Sequence, residues 1–197
     1  MTETNANLAA LVGSRICHDL ISPVGAITNG LELLDLAGAM QGPELALISD
    51  SVRSAGARIR FFRIAYGAAS DQALGRPEIL SVLDGFGSGA KLEVVWSPPG
   101  AQPRHEVRLA FLALQCCETA MPFGGRVTVT AEDGDWTVAG RADKLHADAD
   151  IWASLEGGTF CEISPARVQF ALLPVLAQEA GRRVWLARGE DWVTIRF

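Results

Sequence analysis

His18 is the residue of this chain whose type and placement best suit chemistry. Only three histidines occur among 197 residues, and this one follows Arg15 by about one helical turn and directly precedes Asp19. A neutral imidazole is a good nucleophile near neutral pH and can accept and release a phosphoryl group. The carboxylate can orient the ring or take its proton, and the guanidinium can neutralise phosphoryl charge. These residue types favour phosphoryl transfer, and a surface histidine without a role is the alternative.

The helix expected around His18 leaves it away from the apolar side. Apolar residues recur at alternating steps of three and four from Val12 to Leu34, and His18 lies about 200° of rotation from Ile16. The same polar face carries small or polar residues that leave room for another protein: Ser14, Ser22, Gly25 and Asn29. Pro23 removes one backbone hydrogen bond and should bend the helix just beyond His18. We therefore expect an imidazole that is open to a docking protein.

A second apolar seam runs from Leu45 to Tyr66 in steps of three and four, which predicts a bundle helix. Gly42 and Pro43 supply a stop and a first helical residue between the two helices. The sequence thus predicts an antiparallel hairpin within a domain of residues 1–70. A lone hairpin cannot bury its seams, so we expect a homodimer that closes a four-helix bundle across a two-fold axis. Packing of the hairpin against the rest of the same chain is the alternative.

The periodicity changes beyond a linker at residues 67–72. Helices are predicted at about 77–86, 105–121 and 166–180, and strands at 91–96, 126–130, 136–139, 184–187 and 192–197. The turn Asp133-Gly134-Asp135 indicates a β-hairpin between two of these strands. This pattern predicts a second domain over residues 75–197, built as a mixed sheet covered on one face by helices. The predicted fold class of the chain is therefore α+β.

Composition excludes several classes of function. The net charge of −6 and the pI of about 5.1 leave no basic surface for direct nucleic-acid binding, and no Lys/Arg cluster suggests a membrane surface. The N-terminus lacks the pattern of a secretory signal, and no apolar run reaches the roughly 18 residues that span a bilayer. The four cysteines form no C-x-x-C pair, and His105 and His146 show no metal-ligand spacing. We expect a cytoplasmic protein without a metal site.

The run Cys17–Pro23 resembles the phosphoacceptor box of histidine kinases, in which a His, an acid and a Pro share the first helix of a dimeric hairpin. With Arg15 and the runs Asn29–Leu34 and Phe62–Gly67, the sequence is similar to the ChpT-type histidine phosphotransferases of alphaproteobacteria. The resemblance implies that His18 is phosphorylated and that the C-terminal domain is a degenerate kinase ATP-binding domain. The implied partners are receiver domains of a hybrid histidine kinase and of response regulators. The receiver would bring its own Mg²⁺, and no cofactor is expected in this chain.

An ATP-dependent histidine kinase is the first alternative. Such kinases carry an Mg²⁺-binding Asn on the helix that corresponds to 105–121, which has none here, and Gln115 and Glu118 do not match the motif. The glycine run at 84–89 lies before the first strand of its domain, whereas a dinucleotide fingerprint follows a strand and opens a helix. We interpret 84–89 as a helix-to-strand turn and expect no ATP binding. A non-catalytic dimeric adaptor is the second alternative, so the sequence leaves open whether the chain is an enzyme.

Overall fold

A computed structural model describes residues 24–25, 27–36, 43–68, 70, 72–146, 148–156 and 167–197. The helices are α1 at 27–36, with residues 24–25 also helical, α2 Pro43–Ala65, α3 Arg76–Ala90, α4 Arg104–Ala120, α5 Ala149–Ala153 and α6 Val168–Glu179, and a 3₁₀ turn at Ser154–Glu156. The strands are β1 Ala73–Leu74, β2 Leu92–Trp96, β3 Gln102–Pro103, β4 Gly125–Glu132, β5 Asp135–Arg141, β6 Trp185–Arg188 and β7 Trp192–Arg196. Within the described ranges, no helix is long and apolar enough to cross a membrane.

Five strands form a mixed sheet in the order β2-β4-β5-β7-β6. Strands β2 and β4 are parallel, and every other neighbouring pair is antiparallel. Val127, Val138 and Ile195 point to one face and are completely buried, whereas the alternate residues of these strands are at least partly exposed. Helix α4 packs against β4 and β5, α3 packs against β2, and α6 packs against α4. The α+β class with a mixed sheet covered by helices on one face is confirmed.

Local chemistry accounts for two of the element boundaries that the sequence predicts. Helix α2 begins at Pro43, as expected from a residue whose backbone is preset for the first helical position. Strands β4 and β5 are joined through Asp133 and Gly134, which have φ of 52° and 91°. Positive φ at both central residues is the geometry of the two-residue turns that match strand twist. The predicted β-hairpin is therefore confirmed.

The second half of α2 has a buried face that the heptad pattern did not indicate. Ala57, Phe61 and Ile64 are at most 2% exposed. The ring of Phe61 stacks between those of Phe86 on α3 and Phe111 on α4, with centroid distances of 4.0 and 4.6 Å. This face lies opposite the predicted seam, because Ala57 and Phe61 are each two residues, about 200° of rotation, from the seam residue at position 59. Part of the hairpin thus packs against the rest of the same chain.

Helix α3 continues through the glycine run at 84–89, so the predicted helix end near 86 and the predicted turn are wrong. A Cβ on Gly85 would lie 2.5 Å from the Cβ of Ala57, and one on Gly87 would lie 2.5 Å from the carbonyl oxygen of Leu92. The glycines allow α3 to approach α2 and β2 closely, and this packing offsets a helix-propensity cost of about 1 kcal/mol for each glycine. The helix ends where Lys91 adopts a left-handed conformation, with φ of 55°.

A short two-stranded pairing joins the linker to the start of α4. Strands β1 and β3 pair antiparallel, with Leu74 opposite Gln102. The backbone N–H of Arg104, the first residue of α4, donates to the carbonyl of Gln72 at 3.1 Å. The sequence did not predict this pairing, because two-residue strands are too short to show alternation. It holds the segment that follows α2 against the N-terminal end of α4.

Candidate functional site

The structure describes two of the seven residues proposed for the phosphotransfer face. Gly25 and Asn29 are both exposed and lie four residues apart, so they share one face of the helical segment that leads into and forms α1. A Cβ on Gly25 would meet nothing within 4 Å. The other five residues lie outside the described residues: His18, Asp19, Arg15, Ser14 and Ser22. Just beyond His18 in sequence, the described part of the predicted face is open to an approaching protein.

The position of this face is set by contact between the first two helices. A Cβ on Gly56 of α2 would lie 3.7 Å from Cγ1 of Val24, which is itself half-buried. Residues 37–42 let the chain span at most about 25 Å between Leu36 and Pro43. A parallel pair in contact at Val24 and Gly56 would separate these two residues by about 38 Å along the helix axis. The helices therefore run antiparallel, as the sequence predicts. The hydroxyl of Thr28 donates to the carbonyl of Val24 at 3.0 Å on the same segment.

Two polar residues of α4, Gln115 and Glu118, contact α2 and the residue that follows it. The hydroxyl of Tyr66 donates to Oε1 of Gln115 at 2.5 Å. Burial is the main reason that the pKa of Tyr66 is raised, so the phenol stays protonated and continues to donate. Arg58 forms an ion pair with Glu118 at 2.9 Å and also stands over the ring of Phe86, 5.5 Å from its centroid. Both α4 side chains are thus engaged by α2 and the residue that follows it.

The acidic stretch near α5 also has structural contacts. Asp148 caps α5 by accepting from the backbone N–H of Asp150 at 3.2 Å, and it lies 3.5 Å from a guanidinium nitrogen of Arg167. The ring of His146 packs edge-on to that of Phe123, with centroids 5.8 Å apart. Within the part of the chain that the structure describes, no cluster of three or more His, Cys, Asp or Glu residues is arranged to hold a metal.

Sequence reasoning missed the residues that join α2 to the C-terminal segment. Tyr66 was predicted only as part of the apolar seam, and Arg58 was given no role. Their partners on α4 are 49 and 60 residues away in sequence. The available signal was a second apolar stripe on α2, in which Ala57, Phe61 and Ile64 recur at steps of four and three. A helix with apolar stripes on opposite sides must be covered on both, which would have predicted contact with the C-terminal segment.

The described architecture is a helical hairpin whose second helix packs onto a helix-covered mixed sheet. Residues 76–191 match the family model described as the histidine phosphotransferase C-terminal domain. The chain is 37% identical over 207 aligned residues to a protein phosphotransferase, ChpT, of Brucella abortus (strain 2308), covering 98% of this chain and 96% of that protein. These two matches show that the chain belongs to the histidine phosphotransferase family.

One solved structure gives a similar result. A bacterial phosphotransferase determined at 1.7 Å resolution superposes with a TM-score of 0.70 and 29% identity, covering 98% of this chain and 95% of that one. The histidine kinase domain of a blue-light-activated kinase from Erythrobacter litoralis reaches a TM-score of 0.48 at 12% identity, covering 98% and 92% of the two chains. The predicted resemblance to ChpT-type phosphotransferases is therefore confirmed over nearly the whole chain.

Proposed function

We propose that this histidine phosphotransferase relays a phosphoryl group between receiver-domain aspartates, with His18 as the carrier. The observation that carries the proposal is the full-length match to a protein phosphotransferase, combined with a single histidine in the Cys17–Pro23 phosphoacceptor pattern. The exposed Gly25 and Asn29 support it, because they extend the proposed docking face beyond His18. Ser14 and Ser22 complete this partner-binding face in the proposal.

The proposed chemistry is a reversible exchange between a carboxylate and an imidazole. A ring nitrogen of neutral His18 attacks the phosphorus of a receiver's aspartyl phosphate, so that a P–N bond forms while the P–O bond to the aspartate breaks. The aspartate leaves as a carboxylate, and the reverse reaction passes the phosphoryl group to a second receiver. Asp19 orients the imidazolium that forms, and Arg15 offsets phosphoryl charge. The receiver supplies its own Mg²⁺, so this chain chiefly positions the reacting groups.

We infer the level of His18 along the hairpin from the contact between Val24 and Gly56. In antiparallel helices of equal rise, about 1.5 Å per residue, six residues back along the first helix correspond to six residues forward along the second. On the helix predicted for the residues before Val24, the proposed carrier is therefore expected toward the C-terminal side of Gly56 on α2. This is the end of α2 that packs on α3 and α4. A docked receiver would therefore meet both the hairpin and the C-terminal segment.

We propose that the active form is a homodimer joined through the hairpin. Ile27, Leu34 and Ile48 belong to the two predicted seams, and they are 51%, 40% and 46% exposed in the single chain. Exposed apolar residues on adjacent helices favour burial against another copy, which would close a four-helix bundle. The second half of α2 already packs within its own chain, so the proposed interface uses the half of the hairpin nearer the connection between α1 and α2.

We propose that the C-terminal segment takes part in docking and does not bind ATP. Gln115 and Glu118 support this, because Tyr66, just beyond α2, and Arg58 of α2 already engage them. Titration of the full chain with Mg-ATP in a calorimeter is expected to give no binding heat, and incubation with ATP is expected to leave His18 unlabelled. Measurable Mg-ATP binding with labelling of the protein would favour the kinase alternative.

Transfer from a phosphorylated receiver tests the proposed function. The wild-type chain is expected to acquire an acid-labile phosphoryl label and to pass it to a second receiver. His18→Ala removes the nucleophile and is expected to abolish both steps, whereas His105→Ala is expected to leave them unchanged because His105 lies at the start of α4. A chain that binds receivers without ever acquiring label would instead be an adaptor.

A further inference from the structure

An open pocket of about 660 Å³ lies where the end of α2, the linker and the first turns of α3 and α4 meet. Its described lining is mostly polar or small: Arg63, Gly67, Ala68, Ser70, Gln72, Ala73, Leu74, Glu78 and Arg104. Two of these residues are arginines from different helices, brought together by the β1–β3 pairing that holds the linker against α4. No role in the chemistry of His18 has been assigned to this pocket.

The two arginines create a locally positive site in an acidic protein. Burial, followed by the neighbouring charge of Arg63, lowers the pKa of Arg104 from its ordinary value, while Glu78 acts in the opposite direction. Glu78 is the one carboxylate among the described lining residues. Among the described residues, neither Arg63 nor Arg104 has a carboxylate oxygen within ion-pairing distance. Two like charges held together in this way favour an anionic occupant.

Structural hydrogen bonds use only part of the N–H donors that these arginines offer. Arg104 donates from Nη2 to the backbone carbonyl of Arg63 at 3.3 Å, and Arg108 donates from Nε to that of Ala65 at 3.4 Å. These bonds satisfy carbonyls in the last turn of α2, as basic side chains often do. A guanidinium has five N–H donors, so one bond leaves most donors of Arg104 available in the pocket. The side chain of Arg63 is exposed, and its guanidinium has no part in this capping.

The pocket lies beside the proposed phosphotransfer face. Arg63 follows Gly56 by seven residues, so both project from the same face of α2, and Gly56 contacts Val24 of the preceding helical segment. Arg63 therefore lies about 10 Å beyond Gly56, toward the C-terminal end of α2. A receiver that presents its phosphorylated aspartate to this face brings anionic carboxylate and phosphoryl oxygens toward the pocket. The charges of the two surfaces are therefore complementary.

We propose that Arg63 and Arg104 form an oxyanion-binding site that receives the acidic edge surrounding a receiver's phosphoacceptor aspartate. The proposal rests on the proposed function, because its occupant is the receiver that exchanges phosphate with His18. The two guanidiniums steer the receiver and fix its orientation, while the phosphoryl group is transferred at the imidazole. They are docking residues, and neither is a nucleophile.

Receiver binding can be measured without any transfer step. The probe is a purified, unphosphorylated receiver domain that exchanges phosphate with the wild-type chain, and the host is the full-length His18→Ala variant. Adding Arg63→Ala or Arg104→Ala is expected to raise the Kd for the receiver about fivefold each. Arg63→Lys is expected to retain much of the affinity, because it keeps the charge. Higher NaCl should weaken receiver binding by the His18→Ala host more than binding by the variants that also carry Arg63→Ala or Arg104→Ala.

Arg53→Ala is the matched control, because Arg53 is an exposed arginine on the same helix and pairs only with Asp50 among the described residues, at 3.2 Å. Its Kd is expected to match that of the host protein. If Arg63→Ala and Arg104→Ala also match it, with unchanged melting curves, the docking proposal is wrong. Because the host lacks His18, weakened binding by the two variants can be observed even if another residue proves to carry phosphate. Failure of the proposed function is thus separate from failure of this site.

A second experiment determines whether the oxyanion held by the two arginines belongs to the receiver or to a small anion. Inorganic phosphate is titrated into the complex of receiver and host, and it should compete with the receiver in a manner that depends on Arg104. If phosphate binds the arginine pocket tightly without displacing the receiver, the pocket is a small-anion site and the docking proposal is overturned.

Discussion

At the scale of single residues, the contacts between α2 and α4 define how the hairpin meets the sheet. Tyr66 donates to Gln115, and Arg58 pairs with Glu118. In an ATP-dependent kinase, polar groups at this level of the helix would be expected to face nucleotide and metal. Their engagement by α2 and the adjoining Tyr66 makes the hairpin and the C-terminal segment a connected unit, in keeping with a protein that receives its phosphate from another protein.

The Arg58–Glu118 pair is expected to stabilise the chain by a modest amount. The side chains are 36% and 20% exposed, so solvent screening limits the coupling energy to about 1 kcal/mol. A double-mutant cycle with Arg58→Ala and Glu118→Ala, measured by urea unfolding, should give a coupling free energy of this size. Strictly additive effects of the two substitutions would contradict the role assigned to the pair.

Buried thiols and a buried phenol should make stability fall at alkaline pH. Burial raises the pKa of Cys117 from 9.0 to about 12, and the pKa values of Cys116 and Tyr66 are also raised. Below about pH 9 the thiol is protonated in both states, and its contribution is fully present. Above that pH the unfolded chain loses a proton that the folded chain retains, so unfolding becomes easier by up to about 1.4 kcal/mol per pH unit for each group.

The Cys117→Ala variant tests this linkage through the slope of the free energy of unfolding against pH. The free energy of unfolding of the wild type should decline from pH 8 to pH 10, and the decline should be shallower in the variant because one titrating group is gone. The absolute stability of the variant at pH 8 does not enter the comparison. Identical slopes for the two proteins would show that Cys117 is not the buried, protonated thiol described here.

At the scale of elements, α2 shows both what sequence patterns predict and what they miss. Its heptad steps and Pro43 correctly predict a helix over nearly the observed range. The opposite face, with Ala57 and Phe61, was not predicted, because a second apolar stripe has the same period as the heptad seam. The end of α3 was misplaced for a related reason, since glycines that normally break helices are retained here by tertiary packing.

The glycine at position 85 is expected to be intolerant of even one methyl group. Gly85→Ala places a Cβ 2.5 Å from the Cβ of Ala57, and overpacking of this kind costs about 1–3 kcal/mol. Gly56→Ala is the control on α2, where the new Cβ makes only ordinary contacts at 3.6 and 3.7 Å and should add up to about 1 kcal/mol of stability. Thermal unfolding of both variants tests the prediction, and a stabilised Gly85→Ala would refute the close approach of α3 to α2.

At the scale of the whole molecule, local patterns predicted the α+β class and the five strands of the main sheet. They could not predict that β2 pairs parallel with β4, because that register depends on α4 and on contacts distant in sequence. The residues proposed for phosphate transfer were selected by type, scarcity and spacing. The arginine pocket could not be found in this way, because Arg63 and Arg104 are brought together by the return of the chain through β1 and β3.

The proposed dimer predicts that a charge on the hairpin seam will separate the subunits. Ile48→Glu introduces a carboxylate on an apolar surface intended for the second copy, so the mass in solution should fall from twice 21.0 kDa to 21.0 kDa. Leu36→Glu is the control, because Leu36 is 84% exposed and lies about 180° from Ile27 around α1. Light scattering measures the masses, and a wild-type monomer or an unaffected Ile48→Glu dimer would contradict the proposed interface.

The central claim is that His18 carries the phosphoryl group, and transfer from a radiolabelled, phosphorylated receiver tests it most directly. Wild-type protein should acquire acid-labile label and donate it to a second receiver. His18→Ala should acquire none, although it should fold and bind the receiver as the wild type does. Undiminished transfer through His18→Ala would contradict the account.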